Sequence, residues 1–520
     1  MRLDDPGYTP ARKDIAALLE RLAVCSDDDV GRIERLVLAH PDEAFSRAAA
    51  LLPEARAPWR GRLADVLGRV AAASPTPTRW RHIVSLLDDT DLKVRRNAVI
   101  ALGRAEDVRD EAEAAVLGYW HREPRIDHRR SVAATLGRIG GDASRGLLAA
   151  VQTDDTLLRR EVDRALLRLA RAVPSDDRLD PKAVPDHPLA LRYACRAGFE
   201  EVLRDELPAA WSPHLGPPGV VLARAAAPLE ALWAPRCFTE LSFELRPRRR
   251  QPGDDLAEHV AALMTSPEAT AIFEAFTRGA LRWRLVWTRG GHRRAQVEAA
   301  ERAVGPRLPG SVNDPRRALW TLEVDDDPRG VRAMLTPWWD DTRFAYRVAE
   351  MPAASHPTVA AALVRVGEAR PDDVVVDPFC GTALELIERA RLGPYKSLHG
   401  RDHAPEAVSK ARRNLAAAGL PEAVVQAGDA FDPLPPGASL VITNPPLGYR
   451  VGFGAPADRL LVRFVEHAAR SLVSGGRLVW LSSAAEATAE AGRRAGLRLS
   501  LRRRIDLAGM AVELQRMDKP

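Results

Sequence analysis

Cysteine is scarce in this chain of 520 residues, and Cys25, Cys195, Cys237 and Cys380 lie far apart, with no C-x-x-C pair and no histidine cluster at ligand spacing. That excludes a disulfide framework and a zinc site, and no metal is expected. No apolar run approaches the ~20 residues of a membrane span. The opening Met1-Arg2-Leu3-Asp4-Asp5-Pro6 lacks the basic and apolar regions of a signal peptide. The expected setting is cytoplasmic, with no membrane partner. Excess charge of one sign is also missing: basic against acidic residues run 29 to 27 over 1–175, 25 to 26 over 176–354 and 22 to 18 over 355–520. A strongly basic nucleic-acid coat is therefore excluded, and the net charge of +5 by itself says little about partners. Only six of the 76 basic residues are Lys, a skew that with abundant Ala reflects composition rather than selection for guanidinium recognition.

What is present is enough chain for about three cores. The first part repeats itself at about 30 to 35 residues. Trp59-Arg60-Gly61-Arg62-Leu63-Ala64-Asp65-Val66-Leu67-Gly68-Arg69 is echoed by Val94 to Arg104, by His128 to Arg138 and, without its Gly, by Leu158 to Arg168. Gly68, Gly103 and Gly137 are 35 and 34 residues apart. Apolar residues at spacings of three and four give each copy one buried helical face, and clusters such as Asp88-Asp89-Thr90-Asp91 mark turns. This region resembles HEAT repeats, and residues 1–175 are predicted to form an α-solenoid. It would act either as a surface for a partner, protein or RNA, or as a stabilising cap.

A linker rich in Pro and Asp, Val173 to Pro188, leads into a different pattern. Over 188–350, short β-prone runs at Gly219–Leu222, Phe238–Leu245, Trp283–Thr288 and Ala318–Val324 alternate with helical segments, which predicts an α+β domain. Arg282-Trp283-Arg284-Leu285-Val286-Trp287-Thr288-Arg289 interleaves basic and aromatic residues, and Arg246-Pro247-Arg248-Arg249-Arg250 adds a basic run. A surface that stacks bases and holds phosphates would look like this, and so would an amphipathic strand with Arg on its wet face.

From residue 355 to 520 strands and helices alternate, predicting a doubly wound α/β, Rossmann-like sheet. Val374-Val375-Val376 is a buried parallel strand running into Asp377-Pro378-Phe379-Cys380-Gly381-Thr382. In such sheets ligands bind beyond the carboxyl ends of the strands, where a Gly allows close approach. Asp377 can accept from the methionine ammonium of S-adenosylmethionine, and the helix that follows can receive the carboxylate. Asp402, 25 residues on, suits the ribose hydroxyls, and Asp429, followed by Ala430, suits the adenine amino group. Any one of these carboxylates alone could be a helix cap. Leu440-Val441-Ile442-Thr443-Asn444-Pro445-Pro446-Leu447 is a strand broken by two prolines, so the backbone must leave the sheet there. A conjugated exocyclic amine is a poor nucleophile until acceptors hold its N–H groups. The Asn444 side-chain oxygen and the Pro445 carbonyl can do so.

These residues resemble the THUMP-associated class I RNA guanine-N2 methyltransferases that act on tRNA acceptor stems or large-subunit ribosomal RNA. The likeness rests on Ser355 to Leu363, Asp377 to Thr382, Asp402, Asp429 and Asn444 to Pro446, and extends to Arg343-Phe344-Ala345-Tyr346-Arg347 and Cys195-Arg196-Ala197-Gly198-Phe199-Glu200. It implies an RNA methyltransferase using S-adenosylmethionine, with Asp377, Phe379, Cys380, Gly381, Thr382, Asp402, Asp429 and Ala430 at the cofactor and Asn444, Pro445, Pro446 and Leu447 at the chemistry. Two positions depart from the family pattern. Ala383 replaces a second Gly, and Leu447 replaces the aromatic residue that stacks on the flipped base. Tyr449, Arg450 and Phe453 in the same loop are the candidates for substrate contacts. The HEAT-like region is an addition to the usual architecture. The expected reaction is methylation of guanine N2 in tRNA or rRNA. The alternatives are adenine N6 in RNA or DNA, and a non-catalytic RNA- or protein-binding scaffold on a degenerate methyltransferase fold.

Overall fold

The computed structural model describes residues 8–173, 176–251, 253–291, 293–327, 330–352, 355–447, 457–507 and 509–520. The chain divides into two compact units, Met1–Ser175 and Asp176–Pro520. No helix among the described residues is long and apolar enough to cross a membrane.

The four echoes of the first unit are the helices α1 (Trp59–Ala73), α2 (Leu92–Leu102), α3 (Ile126–Ile139) and α4 (Thr156–Ala172), each packed on the next. Pro77–Ser85, Arg109–Arg122 and Asp142–Ala149 alternate with them, which makes the unit an α-solenoid. The turn-forming acids are helix starts. Asp91 accepts from the backbone N–H of Lys93 and Val94, and Asp155 from that of Leu158.

The recurring glycines have a packing reason. A Cβ on Gly68 would stand 2.7 Å from Ala101 Cβ, and one on Gly137 2.6 Å from Ala165 Cα. Ala101 and Ala165 hold the same place in their own copies, so α1 meets α2 and α3 meets α4 through a Gly facing an Ala, while Gly103, just after α2, faces the Arg138 side chain. The last copy has Leu167 where the others have Gly, and among the described residues no helix of this unit stacks beyond α4.

The second unit contains two large sheets and a two-stranded pair, Arg178–Leu179 with Thr277–Arg278, and its apolar residues form two clusters. The main path of the first sheet runs His214–Leu215, Val220–Ala225, Leu189–Ala194, Glu240–Glu244, Gly330–Pro337, Trp320–Asp327, Arg282–Trp287, Val312–Asn313. Its last three strands are mutually parallel and the rest pair antiparallel. Here the base-stacking reading of the sequence fails. Trp283 and Trp287 are 1% and 9% exposed and belong to the core. Arg282, the first residue of their strand, is buried between Asp177 at 2.5 Å and Asp314 at 2.9 Å. Several arginines in and beside the two basic runs are paired within the domain. Arg289 meets Asp325 at 2.9 Å, Arg293 meets Asp326 at 3.0 Å, Arg250 also pairs with Asp326, and Arg246 meets Glu268 at 3.3 Å. The interleaved segment is an amphipathic strand with Arg284 on its wet face, bonded to Thr321 Oγ at 2.8 Å, and the arginines that follow the strand are answered by the Asp325-Asp326-Asp327 run. Trp338, 66% exposed, is the tryptophan that this domain leaves in solvent.

The second sheet holds the strands β1 (Val374–Asp377), β2 (Ser397–Asp402), β3 (Val424–Ala427), β4 (Leu440–Thr443), β5 (Arg477–Ser482), β6 (Arg498–Leu507) and β7 (Met510–Asp518), in the order β3-β2-β1-β4-β5-β7-β6. The first five are parallel and β7 pairs antiparallel with both neighbours. Fully buried strands such as Val374-Val375-Val376 and Leu440-Val441-Ile442 are apolar on both faces because helices cover both sides. At the amino edge of the sheet, Asp373 is clamped by Arg477 at 2.6 Å and Arg389 at 3.0 Å, all three fully buried. Those guanidinium groups hold its carboxyl well below the usual carboxylate range against the opposing effect of burial.

The two sheets are bolted together. Arg236 forks onto Glu388 at 2.6 and 2.7 Å, Tyr346 donates to the same carboxylate at 2.6 Å, and Arg365 reaches Glu206 at 2.6 Å. The segment Arg343–Arg347 takes part in this docking, with the Arg343 guanidinium 3.8 Å over the Phe238 ring. Gly198 stands against β6. Its φ is +103°, and a Cβ there would meet Arg504 O at 2.2 Å.

Candidate active site

The carboxyl ends of β1, β2 and β4 converge on one crevice, the place where an open parallel sheet binds its ligand. Asp377 ends β1 and is fully buried. Its Oδ1 accepts from Thr443 Oγ at 2.6 Å and from the Phe379 N–H at 3.2 Å, while Oδ2 has no partner. Burial pushes its carboxyl well above the usual range, with the nearby Glu385 carboxylate adding to the shift. A buried carboxylate oxygen without a donor is costly unless a ligand supplies one.

The turn after β1 is shaped by two left-handed residues, Gly381 at φ +49° and Ala383 at φ +67°. A Cβ on Gly381 would point into open space, so the strand-to-helix turn leaves room beside its backbone. Its N–H donates to Asp402 Oδ2 at 3.0 Å, which ties the end of β2 to this turn. The other Asp402 oxygen accepts from the Ala404 N–H at 2.9 Å. Ala383, where a second Gly was the expected pattern, is fully buried and begins the helix Leu384–Arg391 in a conformation that costs an L-residue roughly 1–2 kcal/mol. Thr382 is buried with its hydroxyl unpartnered. Cys380 is buried against Gly400, where a Cβ would come within 3.1 Å of its Sγ, and burial pushes its thiol up. Phe379 lies edge-on to Phe464 at 5.2 Å. Asp429 is exposed and its Oδ1 accepts from the Phe431 N–H at 2.9 Å, with Ala430 buried beside it.

Asn444 follows β4, next to β1 in the sheet, so its amide and the Asp377 carboxylate share one rim. Asn444 Nδ2 donates to Ser355 Oγ at 2.9 Å, and Ser355 Oγ donates to Glu385 Oε1 at 2.7 Å. Asn444 Oδ1 is buried and has no partner. Burial raises the Glu385 carboxyl, and the Ser355 hydrogen bond partly offsets this. The relay Glu385–Ser355–Asn444 therefore fixes the amide with its oxygen toward the crevice. Pro445 is buried, and Leu447 is half-buried against the apolar core. Tyr449, Arg450 and Phe453 lie outside the described residues.

Sequence reasoning placed Asp377, Gly381, Thr382, Asp402 and Asn444 around one crevice, and the structure brings them together. It missed Glu385 and Thr443. Glu385 is an acidic residue that a helix with an apolar face directs inward, and this was the one signal available for it. Among the described residues no group of three or more potential ligands could hold a metal.

A five-strand parallel sheet extended by an antiparallel pair in the order 3-2-1-4-5-7-6, with acidic residues at the ends of β1 and β2, is the class I methyltransferase fold. Residues 345–511 match the RMKL-like methyltransferase domain family, and residues 81–167 match HEAT repeats. The chain thus carries a methyltransferase domain of that type, preceded in the sequence by HEAT repeats. It is 25% identical over 252 residues to a tRNA (guanine(6)-N2)-methyltransferase of Archaeoglobus fulgidus, a match covering 42% of this chain and 62% of that protein. The identity is 30% over 191 residues to the protein of the same name from Thermus thermophilus, covering 36% and 55%. The chain therefore spans less than two thirds of the length of these curated relatives. In fold, TrmN from Thermus thermophilus matches over 64% of this chain and 100% of its own, with a TM-score of 0.51 at 22% identity.

Proposed function

We propose that this protein is an S-adenosylmethionine-dependent methyltransferase acting on an exocyclic amino group of an RNA base, guanine N2 in tRNA before all others, in a cytoplasmic setting. The observation that carries the reading is a pair of buried, unpartnered acceptor atoms, Asp377 Oδ2 and Asn444 Oδ1, at the ends of the neighbouring strands β1 and β4. The donor set fits the cofactor. Asp377 Oδ2 would take the ammonium, the open backbone at Gly381 and Thr382 the methionine portion, Asp402 the ribose, and the Asp429–Ala430 turn the adenine edge.

When bound, S-adenosylmethionine supplies an electrophilic methyl group on a sulfonium. The residues of this chain do the rest. Asn444 Oδ1 and the Pro445 carbonyl accept the two N–H groups of the target amine, which turns its lone pair out of conjugation and toward the methyl. Ser355 and Glu385 keep the amide from rotating. Pro445 and Pro446 hold the carbonyl at the rim because neither can rejoin the sheet. Leu447 offers an apolar face to the base. No strong base is needed, because the methylated ammonium is acidic enough to lose its proton to water. The names of the two guanine-N2 relatives support guanine over adenine.

The test is transfer of labelled methyl to tRNA, ribosomal RNA, DNA and protein, followed by mass spectrometry of the nucleosides. N2-methylguanosine in tRNA, lost in Asn444→Ala while cofactor binding persists, is the expected result. N6-methyladenosine would reassign the base, and failure to bind cofactor would make the domain a scaffold.

A further inference from the structure

Among the described residues, four buried side-chain oxygens have no hydrogen-bond partner: Asp377 Oδ2, Thr382 Oγ1, Asn444 Oδ1 and Ser483 Oγ. All four lie where strands of one parallel sheet end, Asp377 and Thr382 at β1, Asn444 after β4 and Ser483 after β5. An oxygen left in the interior costs free energy until a partner reaches it. The proposed cofactor site accounts for the first two and the target amine for the third. Ser483 is left without a duty.

The pairing of β4 with β5 places it. The strands run parallel with Ile442 beside Val479 and Thr443 beside Trp480, so Asn444 continues the register next to Leu481. Side chains alternate along a strand. Ile442, Val479 and Leu481 join the larger apolar cluster of the second unit, while Val441, Leu478 and Trp480 join the smaller one. Ser482 takes the second side, where its Oγ lies 3.0 Å from Thr488 Oγ1 and accepts from the Ala484 N–H at 3.1 Å. The next residue, Ser483, therefore falls on the side of Asn444. The helix Pro357–Val366 packs on both strands, and Ser355, two residues before it, holds the Asn444 amide. Leu447 packs against the same larger cluster.

The two serines divide the work. The Ser482 hydroxyl is used up inside the fold, and the equally buried Ser483 hydroxyl is not. Strand spacing and rise put the Ser483 backbone roughly 8 Å from that of Asn444. A purine whose amine is held at Asn444 can extend across that distance. A base that enters the crevice from a nucleic-acid chain keeps its ribose at the mouth, so a buried atom meets its Watson–Crick edge. In guanine that edge carries N1–H and O6 beside the amine, one donor and one acceptor, and a hydroxyl can accept from the first or donate to the second.

We propose that Ser483 is a substrate-binding residue whose hydroxyl bonds the Watson–Crick edge of the target guanine, beside the amine held by Asn444. This rests on the activity proposed above. Two acceptors on the amine fix where its nitrogen lies, and a third contact on the ring fixes how the base is tilted about it, which keeps the lone pair in line with the methyl group.

The test is methyl transfer by the full chain to a tRNA transcript, with binding of S-adenosylhomocysteine measured alongside by calorimetry. Ser483→Ala should lower kcat/KM for tRNA ~10-fold or more while the Kd for S-adenosylhomocysteine stays unchanged. Thr and Val are matched in size and differ in the hydroxyl, so Ser483→Thr should exceed Ser483→Val by a similar factor, whatever the added bulk costs both. Wild-type kcat/KM in Ser483→Ala, or equal rates in the Thr and Val variants, would overturn the proposal. A loss of S-adenosylhomocysteine binding that matches the loss of transfer would overturn it as well, by moving the hydroxyl to the cofactor. Methyl transfer by the wild type with no difference between Thr and Val fails this proposal alone. No transfer to tRNA by the wild type removes the proposed activity and this contact with it.

Discussion

Ser355 Oγ accepts the Nδ2 hydrogen of Asn444 at 2.9 Å, and this one contact settles which end of the Asn444 amide faces the crevice. Ser355 is a positioning residue. Without its hydroxyl the amide is free to turn and present N–H groups to an amine that needs acceptors. Ser355→Ala is expected to lower kcat ~10- to 100-fold, or about 1.4 to 2.7 kcal/mol of barrier, while KM and cofactor Kd stay close to wild type. Ser355→Thr, which keeps the hydroxyl, should recover part of the loss. Steady-state kinetics on the methylated RNA decide it, and an unchanged kcat in the alanine variant would remove the relay from the mechanism.

Asp377 gives a pH signature to ligand binding. Burial and the Glu385 carboxylate raise its carboxyl, so protonation persists above the ordinary range. An ammonium placed at Oδ2 favours the charged form, so S-adenosylhomocysteine should bind more tightly as pH rises toward the raised value and should release protons as it binds. Titration calorimetry in buffers of different ionisation enthalpy measures that release. Asp377→Asn should bind more weakly and lose the proton release.

Asp373 has the opposite sign. Its folded carboxyl is depressed by Arg477 and Arg389 from 3.8, so the stability it contributes is complete above that value and is lost as pH falls toward the depressed one. Asp373→Asn leaves two guanidinium groups buried without their counter-charge and is expected to cost about 3–5 kcal/mol near neutral pH. Calorimetric melting from neutral pH down to pH 3 should show the mutant's deficit narrowing with acidification.

The solenoid stacks through glycine. Gly137→Ala puts a methyl 2.6 Å from Ala165 Cα, a backbone atom that cannot swing aside, and is expected to destabilise the first unit by about 1–3 kcal/mol. Gly118→Ala, where a Cβ meets nothing within 4 Å in the helix Arg109–Arg122, should be neutral or mildly stabilising. Thermal melts followed at the helical band compare the two, and equal shifts would contradict the packing argument.

Period and strand-end chemistry were legible in the sequence because they are local. The echoes of Trp59–Arg69 fixed the solenoid, and Asp377, Asp402 and the proline pair after Asn444 fixed the crevice, since each marks where a strand must stop. Contacts between distant segments were not legible. Ser355 and Asn444 are 89 residues apart, and nothing in either segment announces a hydrogen bond between them. The interleaved Arg and Trp residues of 282–289 misled for the opposite reason. Alternation is the same for a wet strand that binds RNA and for one whose aromatic face is core. What separates the two is a set of distant partners, Asp177 and Asp314 for Arg282, Thr321 for Arg284 and Asp325 for Arg289, which meet those arginines only once the sheet has formed. Leu167 in place of the repeating Gly became interpretable only with α4 seen as the end of its row.

The contact of Gly198 with β6 bears on solubility as well as on docking. β6 is the outermost strand of the methyltransferase sheet and carries an unpaired backbone edge. Ala197 O accepts from the Asp506 N–H at 3.0 Å, and Gly198 sits directly over Arg504. The segment 197–198 thereby occupies part of an edge that would otherwise be open to pairing with another copy of itself. Cutting the chain just before residue 355 to isolate the methyltransferase half would uncover that edge. The isolated half should be more prone to self-association than the longer piece beginning at Asp176.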